Sequence, residues 1–296
     1  MRGFEYFHRE IGVREVKTRV CVAGMTGWVG RPLAMAICAS EDMTLSAGVS
    51  RAAANEDIGK VLGIEASGLK VSSNLRDALK EGVDVVIDYT HPSAIEDNID
   101  ACMDAHVPIV VGTSGVTSRY FETLDSRACK ADIGVIVSGN FSLTASLLQY
   151  LAIEAAHCID QKEIVDYAHI RFPQVPSGTA RELAGKISEV NGPAGQRHLR
   201  PYVSEHIVGP VEGRGALIDG IHVHSVRSPG YTLSVEVIYA NTSERLTLRV
   251  DSDSSPEPYI CGTLLATRRV REVRGLVVGL DSLLFRTPVS PLLERS

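Results

Sequence analysis

No two of the six cysteines form a C-x-x-C pair; Cys21, Cys38, Cys102, Cys129, Cys158 and Cys261 are scattered, most of them inside apolar stretches. That pattern offers neither a structural zinc site nor a disulfide framework, so no metal is expected, and the expected compartment is a reducing cytoplasm. No apolar run approaches the roughly 20 residues needed to cross a bilayer, which argues against a membrane partner. A basic excess is missing as well. Lys and Arg number 30 against 36 Asp and Glu, and the resulting net charge of −6 opposes a general nucleic-acid partner. Internal repeats and low-complexity segments are absent. Residues 1–18 are charged and lack the apolar stretch of a signal peptide, so they are expected to form a loosely ordered N-terminal extension. The remainder is ordinary for a globular enzyme: 296 residues, 44% hydrophobic and 22% charged, long enough for two domains.

The first positive signal is a glycine triplet. An apolar strand, Val20 to Ala23, runs into Gly24-Met25-Thr26-Gly27-Trp28-Val29-Gly30 and then an apolar helix from Leu33 to Ile37. G-x-x-G-x-x-G between strand and helix is a variant of the dinucleotide-binding turn. Gly24 permits the tight exit from the strand, Gly27 lets backbone approach a pyrophosphate, and Gly30 lets the helix pack on the sheet. Thr26, Trp28 and Val29 complete the turn. A second strand, Leu45 to Val49, ends about twenty residues later, where an acidic residue would bind a free ribose 2′-hydroxyl. Ser50-Arg51 stands there instead. A hydroxyl and a guanidinium suit a 2′-phosphate, so NADPH is the expected carrier, with NADH second; the alternative is a surface arginine after a strand.

Strand and helix then alternate. A loop through Gly59 and Gly63 leads to a helix near Leu75–Leu79. The strand 83–88 follows and ends in Tyr89-Thr90-His91-Pro92. After a helix over 93–105 comes the strand 109–111, ending in Gly112-Thr113-Ser114-Gly115. A helix over 118–130 precedes the strand 134–137 and the segment Ser138 to Ser142. Buried βα units of this kind predict an α/β fold with a doubly wound parallel sheet, whose ligands lie beyond the carboxyl ends of its strands. The loops at Gly24, Ser50, Tyr89-Thr90, Gly112-Thr113-Ser114 and Asn140-Phe141 therefore share one edge.

Beyond an apolar helix from Leu143 to Cys158 the pattern changes. Segments 163–168, 221–226, 231–240 and 245–250 alternate like strands with few helices between them, predicting a second, α+β domain with a mixed or antiparallel sheet open on one face. A helix over 259–269 and a strand at Gly275–Val278 returning to the first sheet complete the reading. Within this region Pro176-Ser177-Gly178-Thr179-Ala180 opens a helix, with Thr179 and Glu182 at capping-box spacing. Free amides at that terminus, beside two hydroxyls, make a site for a carboxylate. His169 and Arg171 just upstream are the candidate proton- and charge-handling groups. His169 is an acid or a histidine that shapes the pocket and pairs with Asp166; Arg171 is a carboxylate clamp or a solvated strand-end residue. His222 and His224 share a strand face, as polar sheet surface or, with further ligands, a metal pair.

Taken in order, the glycine triplet, Gly112-Thr113-Ser114-Gly115, Asn140-Phe141-Ser142 and Pro176-Ser177-Gly178-Thr179-Ala180 resemble the dihydrodipicolinate reductase family, over Arg19 to Leu284. The resemblance implies a Rossmann-type domain over 19–141, joined by 264–296, and a substrate-binding and oligomerisation domain over 142–263. It implies a homotetramer joined through the second domain's sheets and NADH- or NADPH-dependent reduction of a cyclic unsaturated dicarboxylate in lysine biosynthesis. By the same resemblance Gly112, Thr113 and Ser114 lie near nicotinamide and substrate, Gly178 and Thr179 grip a substrate carboxylate, and Arg51 meets the 2′-phosphate.

The family pattern before the carboxylate loop is His-His-x-x-Lys-x-Asp-Ala-Pro-Ser-Gly-Thr-Ala. Here the first histidine position holds Ala168, the lysine position Phe172 and the aspartate position Gln174; His169 fills the second histidine position. The expected function is therefore NAD(P)H-dependent reduction of a C=N or conjugated C=C bond in a small carboxylate, at an altered site. Two alternatives stand beside it: conventional 4-hydroxy-tetrahydrodipicolinate reduction with a relocated acid, and a non-catalytic nucleotide-binding protein.

Overall fold

The computed structural model describes residues 17–113, 116–190, 208–253 and 255–285. It divides into two compact units, residues 1–135 with 269–275, and residues 136–268 with 276–296. Ser114, Gly115 and residues 191–193, whose Asn-Gly-Pro sequence would stop the preceding helix, lie outside the described residues, as does the expected extension over 1–18 except for its end, where Thr18 already belongs to the first strand.

The first sheet is built on β1 (Thr18–Ala23), β2 (Met43–Val49), β3 (Val85–Asp88), β4 (Ile109–Val111), β5 (Gly134–Val137) and β11 (Gly275–Val278), in the order β11–β5–β4–β3–β1–β2. β1 pairs in parallel with β2 and β3, and β3 with β4. Every residue of β3, β4 and β5 is buried, which is why those segments read as continuous apolar runs rather than alternating ones. Between the strands lie α1 (Gly30–Cys38), α2 (Ile58–Leu62), α3 (Leu75–Ala78), α4 (Ile95–Asp104) and α5 (Ser118–Lys130). The chain turns to β2 on one side of β1 and to β3 on the other, so the carboxyl ends of β1 and β3 form the topological switch point. α2 falls in what the sequence presents as a loop. Asp57 caps it through Lys60 N–H, and Gly63 closes it at φ 79°; five residues are too few to show a helical period.

In the second unit, α6 (Leu143–Ala156) precedes β6 (Gln161–Ala168), and α7 (Gly178–Val190) separates it from β7 (Ala216–Ile218), β8 (Ile221–Arg227), β9 (Leu233–Ala240) and β10 (Arg245–Ser252). α8 (Glu257–Arg269) and α9 (Leu280–Phe285) follow. The sheet order is β10–β9–β6–β8–β7; β6 and β8 run parallel and the other neighbours antiparallel, giving the mixed sheet expected. Leu148, Ala152, Leu183 and Ile187 from the two helices pack on Ile164, Val223, Val237 and Tyr239. The Tyr239 hydroxyl, inside that core, donates to Ala152 O at 2.5 Å. The opposite face of β6, β8 and β9 carries polar clusters: His224 Nε2 lies 2.7 Å from Glu163, which also binds Arg214, and Tyr167 donates to Glu236.

Candidate active site

At the switch point, Gly24 has φ +82°, and a β-carbon there would fall 2.4 Å from Tyr89 O. A β-carbon on Gly30 would fall 2.0 Å from Gly24 O, so both glycines are required by backbone packed on backbone. Gly27 is looser, at 3.1 Å from the same oxygen. α1 therefore starts at Gly30, tight against the turn. Val29 at its N-cap offers no side-chain cap, and the first turn has no acidic residue. Arg31 N–H donates to Gly27 O and Pro32 has no N–H, so within the first turn it is the Gly30 amide, with the positive dipole end, that fits a dinucleotide pyrophosphate. Trp28 is 59% exposed beside them. The Thr26 and Ser50 hydroxyls are 2.8 Å apart, tying the glycine turn to the end of β2, and Arg51 is exposed next to them.

Asp88, fully buried at the end of β3, organises the adjoining loop. It accepts from Thr90 N–H at 2.8 Å, Thr90 Oγ1 at 2.6 Å and Asn98 Nδ2 at 2.7 Å. Burial pushes its carboxyl above the ordinary value. Thr113 Oγ1 donates to Thr90 O at 3.1 Å, and Tyr89 packs on Gly112, so Tyr89, Thr90, Gly112 and Thr113 form one cluster. His91 accepts from Ser93 N–H through Nδ1 and caps the next turn. Asp84, just before β3, accepts from Arg19 Nη2 at 2.8 Å.

In the second unit a cavity of about 90 Å³ is lined by Asn140, Ser142, Asp166, Ser177, Thr179 and Tyr259, among others. Residues at the N-termini of both α6 and α7 thus share one wall. Asn140 Oδ1 accepts from Ser142 N–H at 2.8 Å, and Ser142 Oγ accepts from Ala145 N–H, capping α6. Phe141 is only 1% exposed and belongs to the core. At α7 the capping differs from the expected Thr179–Glu182 box. Ser177 is the cap, accepting from Ala180 N–H at 3.2 Å, because α7 begins at Gly178, earlier than a Thr179 cap would allow. The amides of Gly178 and Thr179, in the first turn, have no intrahelical acceptor by position.

The segment from His169 to Pro176 is a tight excursion between β6 and α7. His169 N–H donates to Thr232 O, and its Nδ1 accepts from Arg171 N–H at 3.1 Å. An imidazole accepting at Nδ1 carries its neutral-form proton on Nε2. Arg171 is exposed. Ala168 is fully buried, in register with Arg227 on one side and Leu233 on the other. Phe172 lies with its ring centroid 5.8 Å from Arg227 Cζ. Asp166 pairs with Arg227 at 2.7 Å rather than with His169. The sequence puts Arg227 within reach of the substrate pocket and Asp166 near His169, but does not show their pairing with each other. The one signal of that pairing was a carboxylate on the buried parity of β6, between Ile164 and Ala168.

Residues 18–141 match the family model described as "Dihydrodipicolinate reductase, N-terminus", and residues 144–284 match "Dihydrodipicolinate reductase, C-terminus". The 4-hydroxy-tetrahydrodipicolinate reductase of Thermosynechococcus vestitus is 36% identical over 90% of this chain and 96% of its own. That of Synechococcus elongatus is 37% identical over 90% and 98%. Among solved structures, a dipicolinate-bound dihydrodipicolinate reductase from Paenisporosarcina sp. TG-14 aligns with a TM-score of 0.78 at 28% identity, over 90% of this chain and all of that one.

Proposed function

We propose that this chain, which belongs to the dihydrodipicolinate reductase family, reduces a C=N or conjugated C=C bond of a small unsaturated carboxylate at a site altered from the family pattern. Membership makes it an NAD(P)H-dependent oxidoreductase. The observation that carries the finer reading is a conjunction at one turn. A helix N-terminus suited to a carboxylate is retained at Gly178 and Thr179, while a buried alanine holds position 168 and an aromatic ring over Arg227 holds position 172.

When bound, the nicotinamide supplies the hydride. The chain's own residues then have separable tasks. Gly24, Gly27 and Gly30, with Thr26, Trp28 and Val29, hold the pyrophosphate and its neighbours; Ser50 and Arg51 favour a 2′-phosphate and hence NADPH. Tyr89, Thr90, Gly112, Thr113 and Ser114 shape the nicotinamide end, and Asn140 and Phe141 the segment after β5. Ser177 fixes the start of α7 so that the Gly178 and Thr179 amides hold the substrate carboxylate. His169 presents Nε2–H as the acid or orients a water that gives the proton, a contribution of about 10²- to 10⁴-fold; Arg171 clamps the carboxylate. The functional division is residues 19–141 with 264–296 for the cofactor and 142–263 for substrate and self-association. The polar, half-exposed sheet face supports a homotetramer, and the scattered cysteines support a cytoplasmic protein.

The relatives' names favour a second reading, conventional 4-hydroxy-tetrahydrodipicolinate reduction. NADPH oxidation with that substrate, freshly generated, separates the two. The altered-site reading expects slow or no turnover by the unmodified chain and a gain in an Ala168→His/Phe172→Lys variant verified as folded by circular dichroism. Rapid turnover by the unmodified chain would establish the conventional reaction.

A further inference from the structure

Arg227 ends β8, in register with Ala168, and its guanidinium is already committed. Nη2 donates to Asp166 Oδ2 at 2.7 Å and to Gln174 O at 2.6 Å. Nη1 donates to Asp166 O at 3.1 Å and Val226 O at 3.0 Å. Nε is buried without a partner among the described residues, and the Phe172 ring lies over the group. The carboxylate it meets is 2% exposed, and Asp166 lines the cavity together with Ser177 and Thr179. The same Oδ2 accepts from Ser177 N–H at 2.8 Å and from Ser225 Oγ at 3.3 Å. The excursion from Asp166 to Ser177 is therefore closed by two ties that share one ion pair: Asp166 to Ser177, and Arg227 to Gln174.

We infer that Arg227 is the positioning residue of the anion-binding turn, and that its charge allows an anion into a cavity walled by the Asp166 carboxylate. The inference rests on the reading of Gly178 and Thr179 as carboxylate ligands. Its physical basis is that a buried carboxylate without a counter-charge repels an incoming anion, whereas a paired one presents a neutral wall. Asp166 orients Ser177, and through it the cap of α7. Arg227 neutralises Asp166 and, with its second Nη2 hydrogen, holds the carbonyl of Gln174. A planar fork can do both at once; an ammonium can balance the charge without reproducing the fork.

The test uses the full chain and four variants, Arg227→Met, Arg227→Lys, Asp166→Asn and the double Arg227→Met/Asp166→Asn. One readout is the affinity for pyridine-2,6-dicarboxylate (dipicolinate), by calorimetry; the other is amide hydrogen exchange over residues 169–180. Arg227→Met is expected to weaken the dicarboxylate by about tenfold or more. The double variant is expected to recover most of that loss, because removing both charges restores a neutral wall, a rescue that general loosening would not produce. Arg227→Lys should keep most of the affinity yet, like Arg227→Met, raise exchange selectively over 169–177 relative to α6 and β9. The inference is overturned if the double variant binds no better than Arg227→Met, or if Arg227→Met leaves exchange over 169–177 unchanged. Unmodified protein that fails to bind the dicarboxylate, with selective exchange in Arg227→Met, would refute the carboxylate reading and the charge role while upholding Arg227 as the tie of the turn. Unmodified protein and Arg227→Met binding equally well would refute the charge role alone and leave the carboxylate reading standing.

Discussion

A β-carbon on Gly112 would fall 2.1 Å from Cζ of Tyr89, so the phenol ring occupies the space that any other residue at position 112 would need for its side chain. The ring is thereby pinned between the ends of β3 and β4. The backbone before it is held as well: Tyr89 N–H donates to Ala23 O, and Tyr89 O presses on Gly24. The glycine turn and the nicotinamide end of the proposed cofactor site thus share one residue. Gly112→Ala is expected to displace the ring and lower stability by about 1–3 kcal/mol, the range for overpacking. NADPH affinity should fall with it; thermal melting and NADPH fluorescence titration check both.

Arg51 is expected to act only through the 2′-phosphate. Arg51→Ala should weaken NADPH by about tenfold, the scale of one lost charge-assisted hydrogen bond, and leave NADH unchanged. Parallel titrations with the two nucleotides decide it, and an equal effect on both would remove Arg51 from the discrimination.

Ser177 carries the cap of α7. Ser177→Ala should cost about 1 kcal/mol in denaturant unfolding and weaken binding of a dicarboxylate probe, because the amides of Gly178 and Thr179 lose their fixed direction. Unchanged probe affinity, with the stability loss observed, would separate the helix cap from the binding role.

Acid stability depends in part on Asp84, just before β3. The Arg19 guanidinium, 2.8 Å from Asp84, holds that carboxyl below its usual range. A folded value lower than the unfolded one means that the pair stabilises fully above the ordinary carboxylate value of about 3.9 and loses its contribution as pH falls through the folded value. Asp84→Asn should therefore be less stable than the unmodified chain at pH 7 by about 0.5–1 kcal/mol, with the gap closing in acid. Urea titrations at neutral pH and near pH 3 measure it; a gap independent of pH would show that charge is not its origin.

Glycine spacing, apolar strands and the Pro176–Ala180 segment were enough to predict the parallel sheet, the mixed sheet and the loops that carry the site, because these depend on local periodicity and backbone sterics. The strand at Gly275–Val278 was legible for the same reason. The start of α7 was not. Thr179 and Glu182 have the right spacing, but Ser177 takes the cap once Asp166 fixes its amide, and Asp166 reaches it from another element.

The sequence by itself determined where the chain can turn tightly, which segments must be buried, and which side chains stand at positions 168 and 172. Only the tertiary structure decided what those side chains meet. It made position 168 a buried alanine in strand register, set the Phe172 ring on Arg227, and spent that guanidinium on Asp166 and Gln174. Such partners lie 53 to 61 residues apart in the chain, and no local pattern records a pairing that exists only once two strands are side by side.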